Sequence, residues 1–135
     1  MLANGAKLKY KKSGESTYTE LQGLKTIADM GIDKEKVENT CLSDSVKQYE
    51  YGIGDYADLS YTFKYENTAS GSYRVLRGFS DSGELVSFEQ EFKDGTKFQF
   101  DAQCNVKLSG GGVNEVIEFT LELALQSDVS VVDPV

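Results

Sequence analysis

Lys97-Phe98-Gln99-Phe100-Asp101-Ala102-Gln103-Cys104-Asn105-Val106-Lys107-Leu108 alternates without a break over its whole length. Phe98, Phe100, Ala102, Cys104, Val106 and Leu108 share one face. Lys97, Gln99, Asp101, Gln103, Asn105 and Lys107 share the other. A period of two sustained this long predicts a strand with one buried and one wetted side. A second such strand runs from about Val116 to Gln126, with Ile117, Phe119, Leu121, Leu123 and Leu125 opposed to Glu118, Thr120, Glu122 and Gln126. Ser109-Gly110-Gly111-Gly112 separates the two, and glycine permits the positive φ of a hairpin loop. Upstream, Glu84–Phe92 reads as a strand with Val86, Phe88 and Phe92 inward and Glu89 and Glu91 outward. Asp94-Gly95, a strong hairpin signal, joins it to the Lys97 strand. Residues 84–126 are therefore a three-stranded antiparallel meander.

Working outward, Asp58–Glu66 adds a strand with Leu59, Tyr61, Phe63 and Tyr65 on one side. The alternation fails at Ser72-Tyr73-Arg74-Val75-Leu76-Arg77-Gly78-Phe79, where Ser72 can cap a two-turn helix that ends near Gly78. Thr17–Ile27 reads as a strand, 28–36 as an exposed charged loop and Lys36–Leu42 as a short strand. Residues 43–55 read as a loop and 128–135 as a tail. The expected fold is mainly β: a two-sheet β-sandwich or split barrel with one short flanking α-helix and a flexible N-terminal arm and loop. Its parts are a basic arm (1–16), a β-sandwich domain (17–126) and a C-terminal tail (127–135). Whether the strand edges are hidden or offered to a neighbour stays open at this level.

Composition narrows the chemistry. The chain has 135 residues, suited to one domain, and 39% hydrophobic residues. No apolar run reaches the ~20 residues of a spanning helix, and the first residues show no signal-peptide pattern. Folding in the cytoplasm is the expectation. Histidine is absent and the cysteines number two, Cys41 and Cys104. That removes the commonest general base and leaves too few thiolates for a zinc site. Both cysteines are expected as small buried hydrophobes. No phosphate-binding or nucleophile-elbow motif is present. The reading is of a protein that is not an enzyme and takes no cofactor and no metal. Glu118 and Glu122 as a glycosidase pair fail on distance, since residues four apart on a strand sit ~13 Å apart.

Charge is uneven. Net charge is −8, but Lys7, Lys9, Lys11 and Lys12 put +4 into the first twelve residues, leaving −12 for the rest. An acidic body repels phosphate and opposes wrapping by nucleic acid. A basic arm suits an acidic neighbour, including another copy of the same chain.

Several stretches, in this order, resemble the major tail tube proteins of long-tailed bacteriophages and prophages, particularly those of Gram-positive hosts. They are Tyr18-Thr19-Glu20-Leu21-Gln22-Gly23-Leu24, Ile27-Ala28-Asp29-Met30-Gly31, Glu35-Lys36-Val37-Glu38, Cys41-Leu42-Ser43-Asp44, Lys47-Gln48-Tyr49 and Gly52-Ile53-Gly54-Asp55-Tyr56. Phe92-Lys93-Asp94-Gly95-Thr96-Lys97-Phe98 follows, and Gly112-Val113-Asn114-Glu115-Val116-Ile117-Glu118-Phe119-Thr120-Leu121 is the most specific single piece. The chain departs from the family at Ala28 and Lys93, near turns that often carry Pro, and at Cys41, commonly Thr.

The resemblance implies a structural protein whose copies stack as six-membered rings into a tube for DNA ejection, with a fold similar to the inner tube of type VI secretion. Arms and a long loop link successive rings. Implied partners are further copies of itself and other tail proteins such as the tape measure and terminator. DNA passes without specific binding, and no membrane is involved. The location is the virion tail, after synthesis in the bacterial host cytoplasm. On this reading Glu89, Glu91, Glu118 and Glu122 are candidates to line an acidic lumen. Lys7, Lys9, Lys11, Lys12, Asp29, Gly31, Asp33, Tyr49 and Tyr51 are candidates for ring stacking or subunit contact. The alternative is a monomeric β-sandwich module that takes a carbohydrate or peptide on Tyr49, Tyr51 and Tyr56. On the tube reading, Lys or Pro placed in the Glu115–Gln126 strand should abolish oligomers and leave a folded monomer.

Overall fold

The computed structural model describes residues 1–56 and 59–135. It is mainly β with one helix: a curled sheet forming a half-barrel, and a second small sheet. The strands are β1 (Lys7–Lys11), β2 (Thr19–Glu20), β3 (Leu24–Thr26), β4 (Ile32–Glu38), β5 (Tyr49–Tyr56), β6 (Leu59–Lys64), β7 (Val86–Glu91), β8 (Lys97–Leu108), β9 (Glu118–Leu125) and β10 (Ser130–Val132). The helix α1 is Ser72–Ser82. The large sheet runs β2-β1-β7-β8-β9-β6-β3, with β10 beside β8, and β4 pairs β5 alone.

The meander stands where the alternation placed it, with β8 pairing β7 through Val86↔Ala102 and β9 through Cys104↔Leu123. The turn between β7 and β8 is longer than a two-residue loop. Phe92 N–H bonds Thr96 carbonyl at 2.9 Å, Gly95 N–H bonds Phe92 carbonyl at 3.0 Å, and Gly95 has φ 100°. This is the three-residue hairpin that demands glycine at its left-handed position. In the loop after β8, Asn114 takes the positive φ, at 63°, and none of Gly110, Gly111 and Gly112 does.

One stretch closes the sheet. β2 pairs β1 (Lys9↔Glu20) and β3 pairs β6 (Leu24↔Phe63), with only Leu21-Gln22-Gly23 between them. Leu21 N–H reaches Leu8 carbonyl at 2.9 Å, and Lys64 N–H reaches Gly23 carbonyl at 2.8 Å. Residues 19–26 therefore bridge the two ends of the curled sheet. Gly23, φ 85°, makes the switch, and a Cβ there would press on Lys64 Cβ at 3.4 Å. Thr17–Ile27, expected as one strand, is thus two short ones divided by that glycine.

The curl turns every apolar face inward. Leu8, Leu59, Tyr61, Phe63, Val86, Phe88, Ala102, Phe119 and Leu121 are all buried. Tyr61 on β6 donates its hydroxyl to Gln90 Oε1 on β7 at 2.5 Å, across the interior. Burial pushes the Tyr61 phenol upward from its ordinary pKa. Helix α1 covers the same face with Tyr73, Leu76 and Phe79. It is longer than expected: Gly71 is the N-cap, Gly78 lies inside, and Gly83 ends it in the left-handed conformation. Ser72, expected as the cap, instead donates its hydroxyl to Gln22 carbonyl at 2.8 Å, tying the helix to the bridging stretch.

Four further expectations are corrected. Residues 7–11 are no flexible arm: Leu8 is fully buried and β1 pairs along nearly the whole of β7 (Lys7↔Glu91 to Lys11↔Ser87). The lysines sit on the wetted face while Leu8 and Tyr10 anchor the other. The loops expected at 28–36 and 43–55 are instead most of β4 and β5. The tail contains β10, paired Val131↔Phe98 on β8. Cys41 is exposed in the turn between β4 and β5, whereas Cys104 is buried, its thiol pushed up to about 12 by desolvation. The strand expected to begin at Asp58 is described from Leu59; Asp58 lies outside the described residues.

Candidate functional site

Strand register places the wetted side chains of the large sheet on one continuous face. Its carboxylates are Glu20, Glu89, Glu91, Asp101, Glu118 and Glu122, and its lysines are Lys7, Lys9, Lys11, Lys64, Lys97 and Lys107. All four sequence-predicted lining carboxylates are here, and each meets a cation or an amide. Lys9 Nζ lies 2.8 Å from Glu91 and 3.9 Å from Glu89. Glu89, only 4% exposed, also accepts from Gln99 Nε2 at 2.9 Å. Lys107 pairs with Glu122 at 3.2 Å, and Lys25 pairs with Glu118. The hydrogen bond from Lys9 holds the Glu91 carboxyl below its ordinary value, and the same bond raises Lys9. Acids and lysines are equal in number by register, so this face is charge-balanced. The chain's acidity is concentrated elsewhere, a feature that residue counts along the sequence do not reveal.

The other candidates fall into two groups. Lys7, Lys9 and Lys11 belong to that balanced face, with Lys11 Nζ 4.9 Å from the Tyr18 ring centroid, and Lys12 follows directly after β1. Asp33, Tyr49 and Tyr51 are together on the β4–β5 hairpin, and Asp29 and Gly31 lie in the segment leading into it.

The hairpin pairs only with itself, from Ile32↔Tyr56 to Glu38↔Tyr49, with a register shift between Lys34 and Lys36. All seven residues of β4 are exposed. Val37, Leu42, Val46, Tyr49, Tyr51 and Ile53 all face solvent, Ile53 at 91%. Isolated two-stranded hairpins are marginal in water. A long one with this much bare apolar surface stands apart from the buried faces of the large sheet. Sequence reading took Tyr49 and Tyr51 from it but missed Val37 and Ile53, because a strand wet on both faces shows no alternation.

The remaining surface has shallow grooves, one of about 430 Å³ beside Asn4, Leu24 and Ile27. Among the described residues, no Cys, Asp or Glu group is arranged to hold a metal ion. No helix is long and apolar enough to cross a membrane, which says nothing of strands.

A curled β half-barrel with a second, two-stranded sheet of exposed apolar residues defines the class, a β module of two unlike parts. The chain belongs to the phage tail tube family, TTP, lambda-like, whose model matches residues 1–123. It is a tail tube structural protein of the virion tail, and its kind works as an oligomeric assembly. Solved structures share the fold. A chain of the anti-feeding prophage baseplate, 6-fold symmetrised, aligns with TM-score 0.75 at 13% identity over 98% of this chain and 95% of that one. A chain from the tail of an empty gene transfer agent particle, refined with C6 symmetry, gives 0.74 at 19% identity over 96% and 98%. A chain from the virion of the native gene transfer agent particle gives 0.69 at 18% over 93% and 95%. Comparison with curated protein sequences finds no match.

The edge expected at Glu115–Gln126 is not free. β9 lies inside the sheet, paired to β6 on one side and β8 on the other. Proline there would remove a ladder bond within the fold itself. That substitution tests folding, not assembly.

Proposed function

We propose that copies of this chain form six-membered rings that stack into a conduit for DNA, with the β4–β5 hairpin crossing to a neighbouring subunit. The unpartnered hairpin carries this reading: its exposed apolar residues gain burial only in an assembly. The six-fold symmetry of the relatives with the same fold supports the ring number. The wetted face of the barrel is the surface suited to the lumen, which places Glu89, Glu91, Glu118 and Glu122 there together with their lysines. Six carboxylates against six lysines leave this face without net positive charge, so a duplex finds little counterion-driven affinity to hold it at each step. Asp29, Gly31, Asp33, Tyr49 and Tyr51 belong to the contact between subunits. Tape measure and terminator proteins are the further partners, and synthesis takes place in the host cytoplasm.

Negative-stain electron microscopy across a concentration and salt series, with light scattering on the same samples, tests this reading. Rings or hollow tubes from the wild type, lost in Ile53→Asp while that variant stays folded, are the expected outcome. Compact monomers at every condition, together with glycan binding at Tyr49 and Tyr51, would replace it with a carbohydrate-binding module.

A further inference from the structure

A groove of about 290 Å³ lies between β1 and α1. Tyr10 and Phe79, in edge-to-face contact at 5.5 Å between ring centroids, both line it. Lys12 and Arg74 supply two cations and Glu84 one carboxylate. Lys12 Nζ sits 5.6 Å from the Phe79 ring centroid, and Arg74 Nε donates to Asn67 at 2.6 Å. Neither cation has a carboxylate partner among the ion pairs of the described residues. In a chain of net charge −8, a groove with more cations than acids is a distinct place.

Gly78 also lines this groove, in the interior of α1. Glycine there is less favourable to the helix than alanine. The fold of the single chain does not require it: its φ is not positive, and an added Cβ would meet nothing within 4 Å. A glycine that the isolated molecule does not need leaves room for a second one.

We propose that this groove seats the β4–β5 hairpin of another copy of the chain, a contact that rests on the tube reading and names its acceptor. Residues 32–56 carry six acids against three lysines, opposite in sign to the groove, and they bring the exposed Val37, Tyr51 and Ile53 to its aromatic floor. Donor hairpin and acceptor groove are different surfaces of the chain, one on β4 and β5 and the other on β1 and α1. Such a contact is head-to-tail, and head-to-tail contacts propagate from copy to copy.

The test uses the full chain in three forms. Gly78→Leu fills the groove and should hold or raise Tm while raising the concentration needed for assembly roughly tenfold or more. Arg74→Glu should weaken assembly similarly, and adding Glu35→Arg should recover part of it. Gly78→Cys should be joined by a short bismaleimide to the native Cys41 in the hairpin turn of another copy, located by peptide mass spectrometry and absent with Cys41→Ser. Wild-type assembly that Gly78→Leu and Arg74→Glu leave unchanged, with no 41–78 cross-link, overturns this contact and leaves the tube reading in place. A 41–78 cross-link without rings sustains the contact and removes the ring. Neither assembly nor cross-link overturns both.

Discussion

The half-barrel and the β4–β5 hairpin are made of the same secondary structure and obey opposite rules. In the half-barrel the longer strands β6 to β9 each have a buried face, so Phe63, Phe88, Phe119 and Leu121 are excluded from water within the single chain. In the hairpin neither face is covered, and Ile53, Tyr51 and Leu42 remain in solvent. The half-barrel buries its apolar residues by folding, whereas the hairpin's apolar surface gains no such burial within the single chain.

Substitutions can break that division. Leu121→Ala removes a fully buried side chain and should cost ~2–5 kcal/mol, read by chemical denaturation. Ile53→Asp should change monomer stability by no more than ~0.5 kcal/mol yet eliminate assembly by light scattering. Equal effects of the two on stability would erase the contrast. Within the barrel, Tyr61→Phe strips the donor from Gln90 Oε1, in a buried side chain whose Nε2 already lacks a partner among the described residues. A loss of ~1–3 kcal/mol is expected, largely recovered in the double variant with Gln90→Leu; a double-mutant cycle measures the coupling.

The smallest effect is at the wetted face. Glu91 has its pKa lowered by Lys9 from the ordinary 4.5, so its contribution is complete above that value and fades as pH falls through the lower folded one. Lys9, raised above 10.5, keeps its share until pH rises through its folded value. Glu91→Gln should therefore cost about 0.2–1 kcal/mol near neutrality and flatten the decline in stability below pH ~4.5. A pH series of denaturation midpoints reads it; an unchanged acid limb would show the pair to be idle.

Alternation marked β6, β7, β8 and β9 because each has one dry side, and the inward set Phe100, Ala102, Cys104 was legible from spacing alone. β4 was not legible, since Ile32-Asp33-Lys34-Glu35-Lys36-Val37-Glu38 is wet on both faces and carries no period. β1 was hidden by its lysines, because only Leu8 and Tyr10 in a five-residue strand report the buried side. Of the candidate site, Asp33, Tyr49 and Tyr51 were read as loop residues offered to a neighbour, whereas they are exposed positions on strands β4 and β5. Their neighbours Val37 and Ile53 looked like ordinary apolar positions. The four candidate carboxylates were read as opposite the apolar face, and register puts them there, although Glu89 is buried; their lysine partners come from other strands, Lys9 across from Glu89 and Lys107 diagonal to Glu122.

By itself, then, the sequence determined the β class, the strands with a buried side and, through collinear motifs, the resemblance to tail tube proteins. These follow from local periodicity and composition, which need no knowledge of what lies across the fold. Only the tertiary structure decided that residues 19–26 close the barrel, that the N-terminal lysines meet Glu89 and Glu91, and that Gly78 opens onto an unfilled groove. Each of these is a contact between residues distant in sequence, set by sheet curl and register, and a one-dimensional pattern does not carry that information.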